Sequence, residues 1–182
     1  MSPALQIIDD RVTFKFGDIT TMHVDAVVNA AKRSLRRGGG VSGAVFAAAA
    51  RDLADECRTI APCPVGKAVL TGSHGLPSRR IIHAVGPMWF GGFFGEHYRL
   101  FECYQNTLHL ADQHNLKTIA IPAISTGHFL YPTRSAARIA MRAIRAYFAE
   151  CESDIETVVL CFTDPKKMAI YKAAFGASGA RV

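Results

Sequence analysis

Three features of this chain carry types and spacings suited to gripping an anionic ligand. They are Asn29 at the end of an apolar run, the consecutive Gly38, Gly39 and Gly40 nine residues later, and Asp18 eleven residues before the asparagine. Val27 to Gly43 runs from an apolar strand through a basic turn bearing Lys32, Arg33, Arg36 and Arg37, then across the glycines into a helix. Glycine has no Cβ, so a ligand can come close to the main chain there. The following helix points unpaired N–H groups and its positive dipole end back at the loop, which favours a phosphate. A second loop of small residues, Ser125-Thr126-Gly127-His128-Phe129, leaves the apolar run Thr118 to Ile121. Two such loops suit a ligand with two phosphates better than one with a single charge. Asp18 is either a turn cap, since its carboxylate readily accepts backbone N–H bonds, or a ligand-facing acceptor at a strand end.

Several other chemistries fail on spacing. There is no Gly-x-x-x-x-Gly-Lys-Ser/Thr run, and Gly-x-Gly-x-x-Gly does not follow a first strand, which excludes the P-loop and Rossmann patterns. Gly-x-Ser-x-Gly is absent, so a serine nucleophile lacks its usual setting. No His-Glu-x-x-His or Cys/His ligand pattern points to a metal, and none is expected.

The elements that must hold these loops alternate. Short strands are expected at Leu5 to Ile8, Val12 to Phe16, Ala26 to Ala30, Ala68 to Thr71, Arg80 to Val85, Thr118 to Ile121 and Thr157 to Phe162. Helical spacing covers Gly43 to Ile60, Glu96 to Asn115, the segment after Pro132, and Asp164 to Phe175. The first of these reads as one amphipathic helix with Val45, Ala49, Leu53 and Cys57 at every fourth position, ended by Pro62 and Pro64. The third buries Ala137, Met141, Ile144 and Phe148 and leaves Arg134, Arg138, Arg142 and Arg145 as a solvated basic stripe. His83 shares a strand face with Ile81 and Val85 and reads as a core histidine. Met88 to Gly95, rich in aromatics and glycine, is either a mobile lid or a loop packed on the core. Strands alternating with helices predict an α/β sheet covered on both faces, with an antiparallel edge contributed by the two leading strands. The ends at Gly17, Asn29, Ser125 and Phe162 then share one crevice.

Size and composition agree with one domain spanning residues 1–182. The chain has 182 residues, 49% hydrophobic and 20% charged, enough for one substantial core. A net charge of +6 favours anionic partners without forming a basic tail. Five cysteines, odd in number and mostly within apolar runs, suggest thiols of a reducing compartment. With no signal-type leader and no apolar window of about 18 residues, a cytoplasmic location without membrane association is expected.

Five motifs, in order, resemble the macrodomain family and its MacroD-type branch. They are Gly17-Asp18-Ile19-Thr20, Val28-Asn29-Ala30-Ala31, Gly38-Gly39-Gly40-Val41, Ile82-His83-Ala84-Val85-Gly86-Pro87, and Ile124-Ser125-Thr126-Gly127 followed by Tyr131-Pro132. The resemblance implies a three-layer α/β/α sandwich around a mixed, mostly parallel sheet that binds ADP-ribose and needs no cofactor. It implies that Asp18 accepts a hydrogen bond from the adenine amino group, with the Ile19 backbone beside it, and that Phe162 covers the adenine. Gly38, Gly39, Gly40 and Val41, with Ser125, Thr126, Gly127, His128 and Phe129, surround the diphosphate, and Phe129 packs on the distal ribose. The candidate catalytic residues are Asn29, bonding the distal ribose hydroxyls, and with it Lys32 and Ser42. Lys32 stands where MacroD-type sequences place a second asparagine, Ser42 where they place an aspartate thought to activate water, and Phe46 where they place a histidine.

Two functions remain open on this footing. One is an enzyme that removes mono-ADP-ribose from acidic side chains or deacetylates O-acetyl-ADP-ribose. The other is a reader that binds ADP-ribose or ADP-ribosylated proteins without turnover. A nucleic-acid binder built on the arginine stripe is a distant third, because no recognised motif accompanies it.

Overall fold

The computed structural model describes residues 10–176. The expected strand at Leu5 to Ile8 lies outside the described residues. Among the described residues six strands form one sheet: β1 (Val12–Phe16), β2 (Ala26–Ala30), β3 (Ala68–Gly72), β4 (Arg80–Ala84), β5 (Thr118–Pro122) and β6 (Thr157–Phe162). Five helices pack on it: α1 (Gly40–Ala48), α2 (Asp52–Ile60), α3 (Glu96–Gln113), α4 (Thr133–Glu150) and α5 (Pro165–Gly176).

The strand order is β1-β6-β5-β2-β4-β3. Every neighbouring pair is parallel except β3 with β4. Among the described residues the antiparallel pair is β3 with β4, while β1 pairs in parallel with β6; the antiparallel partner expected for β1, Leu5 to Ile8, lies outside them. β3 and β4 are joined by the short turn through Gly75, where φ is +88°, which suits an antiparallel pair.

Alternation along β2 sets the layers. Val28 faces a cluster with Leu100, Tyr104, Ala140, Ile144 and Tyr171 from α3, α4 and α5. Val27 and Ala31 face a second cluster with Val45, Leu53 and Cys57 from α1 and α2. Burial on both faces makes β2 continuously apolar but for Asn29, as a central parallel strand requires. The result is a three-layer sandwich around a mixed, mostly parallel sheet.

The segment 43–60 is two helices, not one. The break falls at Ala49, whose ψ of 157° is extended, and the N–H of Ala50 donates to the carbonyl of His74 at 2.7 Å instead of continuing the helix. Alanines impose no break of their own, so the apolar period reads straight through a kink that a tertiary hydrogen bond makes. The basic stripe on α4 also loses a member. Arg134, Arg138 and Arg142 are exposed, but Arg145 is buried, with Nη2 donating to the Phe175 carbonyl at 2.8 Å and its guanidinium 5.8 Å from the Phe175 ring. Arg145 thus pins α5. Cys57, Cys63, Cys103 and Cys161 are buried thiols, while Cys151 is exposed. Among the described residues no helix is long and apolar enough to cross a membrane.

Candidate functional site

β1, β6, β5 and β2 all end on the same side of the sheet, and the chain leaving each end contributes to one crevice. Its two lobes, of about 130 and 430 Å³, meet at Gly40, Val41, Ala123 and Gly127. Asp18, Ile19, Phe162 and Thr126 line the larger lobe; Lys32, Gly38, Gly39, Ser42, Ser125, His128 and Phe129 line the smaller. Of the site residues read from the sequence, only Asn29 lines neither lobe.

Asp18 caps a turn and also borders the larger lobe. Oδ1 caps the short 3-10 turn Ile19–Thr21 by accepting from the Thr20 N–H at 2.9 Å and the Thr20 hydroxyl at 2.8 Å. Oδ2 has no partner among the described residues, and the exposed residue borders the larger lobe. Opposite it, Phe162 is buried, stacked on Phe14 at 6.5 Å and edge-on to Tyr171 at 5.0 Å. One ring edge of this aromatic cluster forms an apolar wall.

Backbone amides without protein acceptors border the crevice on two loops. Gly39 caps α1 with extended backbone, and Gly40 opens it at a φ of +56°, where a side chain would be strained. Among the described residues the N–H groups of Gly39, Gly40, Val41 and Ser42 donate to no protein acceptor, as expected of a helix start. The second loop matches it: Gly127, His128 and Phe129 also leave their N–H groups without an acceptor among the described residues. That loop is held in shape by φ of +66° at Ser125 and +55° at Leu130, and by the Tyr131 N–H donating to the Ser125 carbonyl at 3.1 Å. Amides of this kind form a concavity for anions.

Ser42, standing where the family acid is expected, is buried, and its hydroxyl accepts the Gly38 N–H at 3.2 Å. It closes the glycine loop on itself. Lys32 is exposed at the rim of the smaller lobe.

Asn29 lies one residue inside the lining pair Ala30 and Ala31 and is fully buried. Its Nδ2 is 3.0 Å from His83 Nδ1, while its Oδ1 has no partner among the described residues. His83 is a core histidine as read from the strand period, but it is also the neighbour of Asn29 across the β2–β4 ladder. Desolvation of the buried ring pushes its pKa down to about 4, against an upward pull from Glu56. The imidazole is therefore neutral near pH 7.

Sequence reasoning missed three contributors. Lys167, in the first turn of α5, lines the larger lobe and donates from Nζ to the Thr126 carbonyl at 2.9 Å, tying that helix to the second loop. Gly86 lines the smaller lobe, and any Cβ there would run into the Ser125 hydroxyl and Ile124. Asp164 also borders the larger lobe while its carboxylate caps α5 through the Lys166 N–H at 2.8 Å. The turn after Phe162 was expected at the crevice; what the sequence did not single out is Asp164 within it.

The loop at Met88 to Gly95 is organised by one carboxylate. Glu96 accepts the N–H groups of Phe90, Gly92 and Phe94 at 2.9, 3.1 and 2.7 Å. Trp89 is tied to the second loop, its N–H donating to the Phe129 carbonyl at 2.9 Å. Phe90, Phe93 and Phe94 remain exposed, so only the tryptophan end of this loop is packed.

Comparison with known proteins agrees with this geometry. The model of the Macro domain family matches residues 28–140. An O-acetyl-ADP-ribose deacetylase of Enterobacter cloacae subsp. cloacae is 42% identical, covering 94% of this chain and 93% of its own. The solved macrodomain of Oceanobacillus iheyensis, with MES bound, superposes at a TM-score of 0.88 with 34% identity over 94% of each chain. A Trypanosoma brucei macrodomain in complex with ADP-ribose gives a TM-score of 0.87 and 30% identity over 93% of this chain and 71% of its own.

Proposed function

The chain belongs to the macrodomain family, and from that premise we propose that it binds ADP-ribose in the crevice and hydrolyses esters at the distal ribose. The substrates are O-acetyl-ADP-ribose and mono-ADP-ribose carried on acidic side chains of proteins. The observation that carries the reading is the pair of loops at Gly39 to Ser42 and Gly127 to Phe129, which offer backbone N–H groups to one space from two sides.

This reading orders the ligand along the crevice. Adenine fits the larger lobe, with its amino group donating to the Asp18 carboxylate and its face or edge against Phe162. The diphosphate takes the amides where the lobes meet. The distal ribose then falls in the smaller lobe, between Phe129 and the strand end at Ala30. Water adds to the acyl carbonyl, the bond between that carbon and the ribose oxygen breaks, and the ribose hydroxyl takes up the proton. Acetate or a side-chain carboxylate leaves. No carboxylate stands in the first turn of α1, so the rate rests on holding water and ester together between fixed dipoles.

Ser42 supplies the one observation that favours a binding module instead, because its hydroxyl is committed to the Gly38 N–H. A turnover assay separates the two readings. The enzyme releases acetate from O-acetyl-ADP-ribose and ADP-ribose from a glutamate-modified protein above a no-enzyme control; a module binds both and releases neither. Ser42→Asp is the companion variant. The new carboxylate can still accept the Gly38 N–H at a helix start that favours negative charge, and a general base there raises kcat by roughly tenfold or more.

A further inference from the structure

We infer that His83 is a positioning residue for Asn29, holding the Asn29 amide so that Oδ1, and not Nδ2, is the atom offered to the ligand. The inference rests on the enzymatic reading above and deepens it.

The direction of each hydrogen bond follows from what each group can donate. The Thr71 hydroxyl donates to the Gly72 carbonyl at 3.1 Å, so toward His83 Nε2, at 2.9 Å, it can only accept. His83 therefore carries its proton on Nε2, and Nδ1 is a bare acceptor. The group 3.0 Å from Nδ1 must then be a donor, which fixes Nδ2 of Asn29 on the histidine side. Oδ1 is left as the free end of the amide, buried and without a partner among the described residues. A buried acceptor with no partner is costly and invites one. Ala30 and Ala31, the next two residues, line the smaller lobe, so the partner that reaches Oδ1 comes from that lobe: a ribose hydroxyl or the attacking water, each a donor.

The chain Asn29, His83, Thr71, Gly72 crosses three adjacent strands, β2, β4 and β3: Asn29 and His83 are register partners, while Thr71, paired with Ile81, reaches His83 on the diagonal. The histidine is fully buried. Phe46 of α1 packs on its ring at 6.4 Å between centroids, and the Cys57 thiol of α2 sits 3.7 Å from Nε2. The charged groups acting on it, Glu56 and His74, belong to α2 and the β3–β4 turn. Nothing else competes with Asn29 for Nδ1 among the described residues.

Two independent readouts test this. In the resting protein at neutral pH, imidazole nitrogen shifts in an NMR spectrum assign the tautomer: a bare Nδ1 and a protonated Nε2 are expected, and the opposite assignment overturns the inference. In steady-state kinetics on O-acetyl-ADP-ribose, His83→Phe lowers kcat by about tenfold or more with KM little changed, because truncating an orienting group acts on the step and not on affinity. His83→Gln, whose amide can accept from Asn29 and donate to Thr71, recovers most of the loss. The wild type loses kcat as pH falls toward about 4 and His83 gains a proton on Nδ1, whereas His83→Gln shows no such limb. Equal kcat in the Phe and Gln variants, or an acid limb kept by the Gln variant, overturns the inference. If His83→Phe fails to fold, Thr71→Val, which removes the acceptor for Nε2–H, takes its place. A wild type that binds ADP-ribose without turnover defeats the enzymatic reading alone, and the tautomer still decides the role of His83.

Discussion

The imidazole of His128 lies against Gly39, so the two loops of the crevice touch across its mouth. A Cβ at position 39 would stand 2.5 Å from His128 Cε1. The backbone there, with φ −91° and ψ −178°, is extended and open to any residue. The demand for glycine at this position therefore comes from the opposite loop and not from the chain's own conformation.

Gly39→Ala should accordingly leave stability within about 0.5 kcal/mol, since the exposed histidine ring can swing away. The ring then moves relative to the space meant for the diphosphate, and the Kd for ADP-ribose changes. A cycle with His128→Ala measures the contact: a coupling of about 0.5 kcal/mol or more by titration calorimetry is expected of residues in contact. Strict additivity would mean that the loops bind independently.

On the proposed reading, Asp18→Ala removes a turn cap and a ligand acceptor at once. Losing the cap costs about 1 kcal/mol of stability. Losing a charge-assisted bond to adenine costs about 1.5–3 kcal/mol of binding, a weakening of roughly 10- to 100-fold. Thr20→Ala is the control: it deletes the 2.8 Å hydroxyl bond to Oδ1 and leaves the carboxylate in place. Calorimetry on both variants should show a large affinity loss only for Asp18→Ala.

A surface triad makes stability depend on pH. His74 donates from Nε2 to Glu56 at 2.5 Å and from Nδ1 to Asp52 at 3.0 Å, and Glu56 also accepts the Gly72 N–H at 3.1 Å. Burial opposes ionisation of both groups, but hydrogen bonds from His74 and Gly72 outweigh it and hold Glu56 below 4.5, while bonds to Glu56 and Asp52 hold His74 above 6.5. The Glu56 contribution is full above 4.5 and fades as pH falls through its lowered value; the His74 contribution is full below 6.5 and fades as pH rises through its raised value. Tm measured against pH should therefore plateau between these limits, and Glu56→Gln should flatten both shoulders. An unchanged profile in the variant would remove the triad from the account.

The chain's own order of residues determined the layers and the place of the crevice. Apolar runs of five or six residues alternating with helical periods specify a buried parallel sheet, and small-residue loops at strand ends specify where a ligand fits. That Asp18, the triple glycine, the loop from Ser125 and Phe162 border the crevice was legible because each carries a local signature, a cap, a turn or a strand end.

Tertiary structure decided what no local pattern encodes. The helix break at Ala49 depends on a carbonyl of His74, and the burial of Arg145 depends on where α5 docks. Lys167 and Gly86 enter the crevice only because distant segments meet there. Asn29 shows the division within one residue. Its position at a strand end is written in the chain, but which atom of its amide is left free is set by His83, 54 residues away, whose own proton is placed by a hydroxyl on a third strand. Hydrogen-bond direction is a property of the whole ladder, since a donor is fixed only when every partner along the line has been assigned.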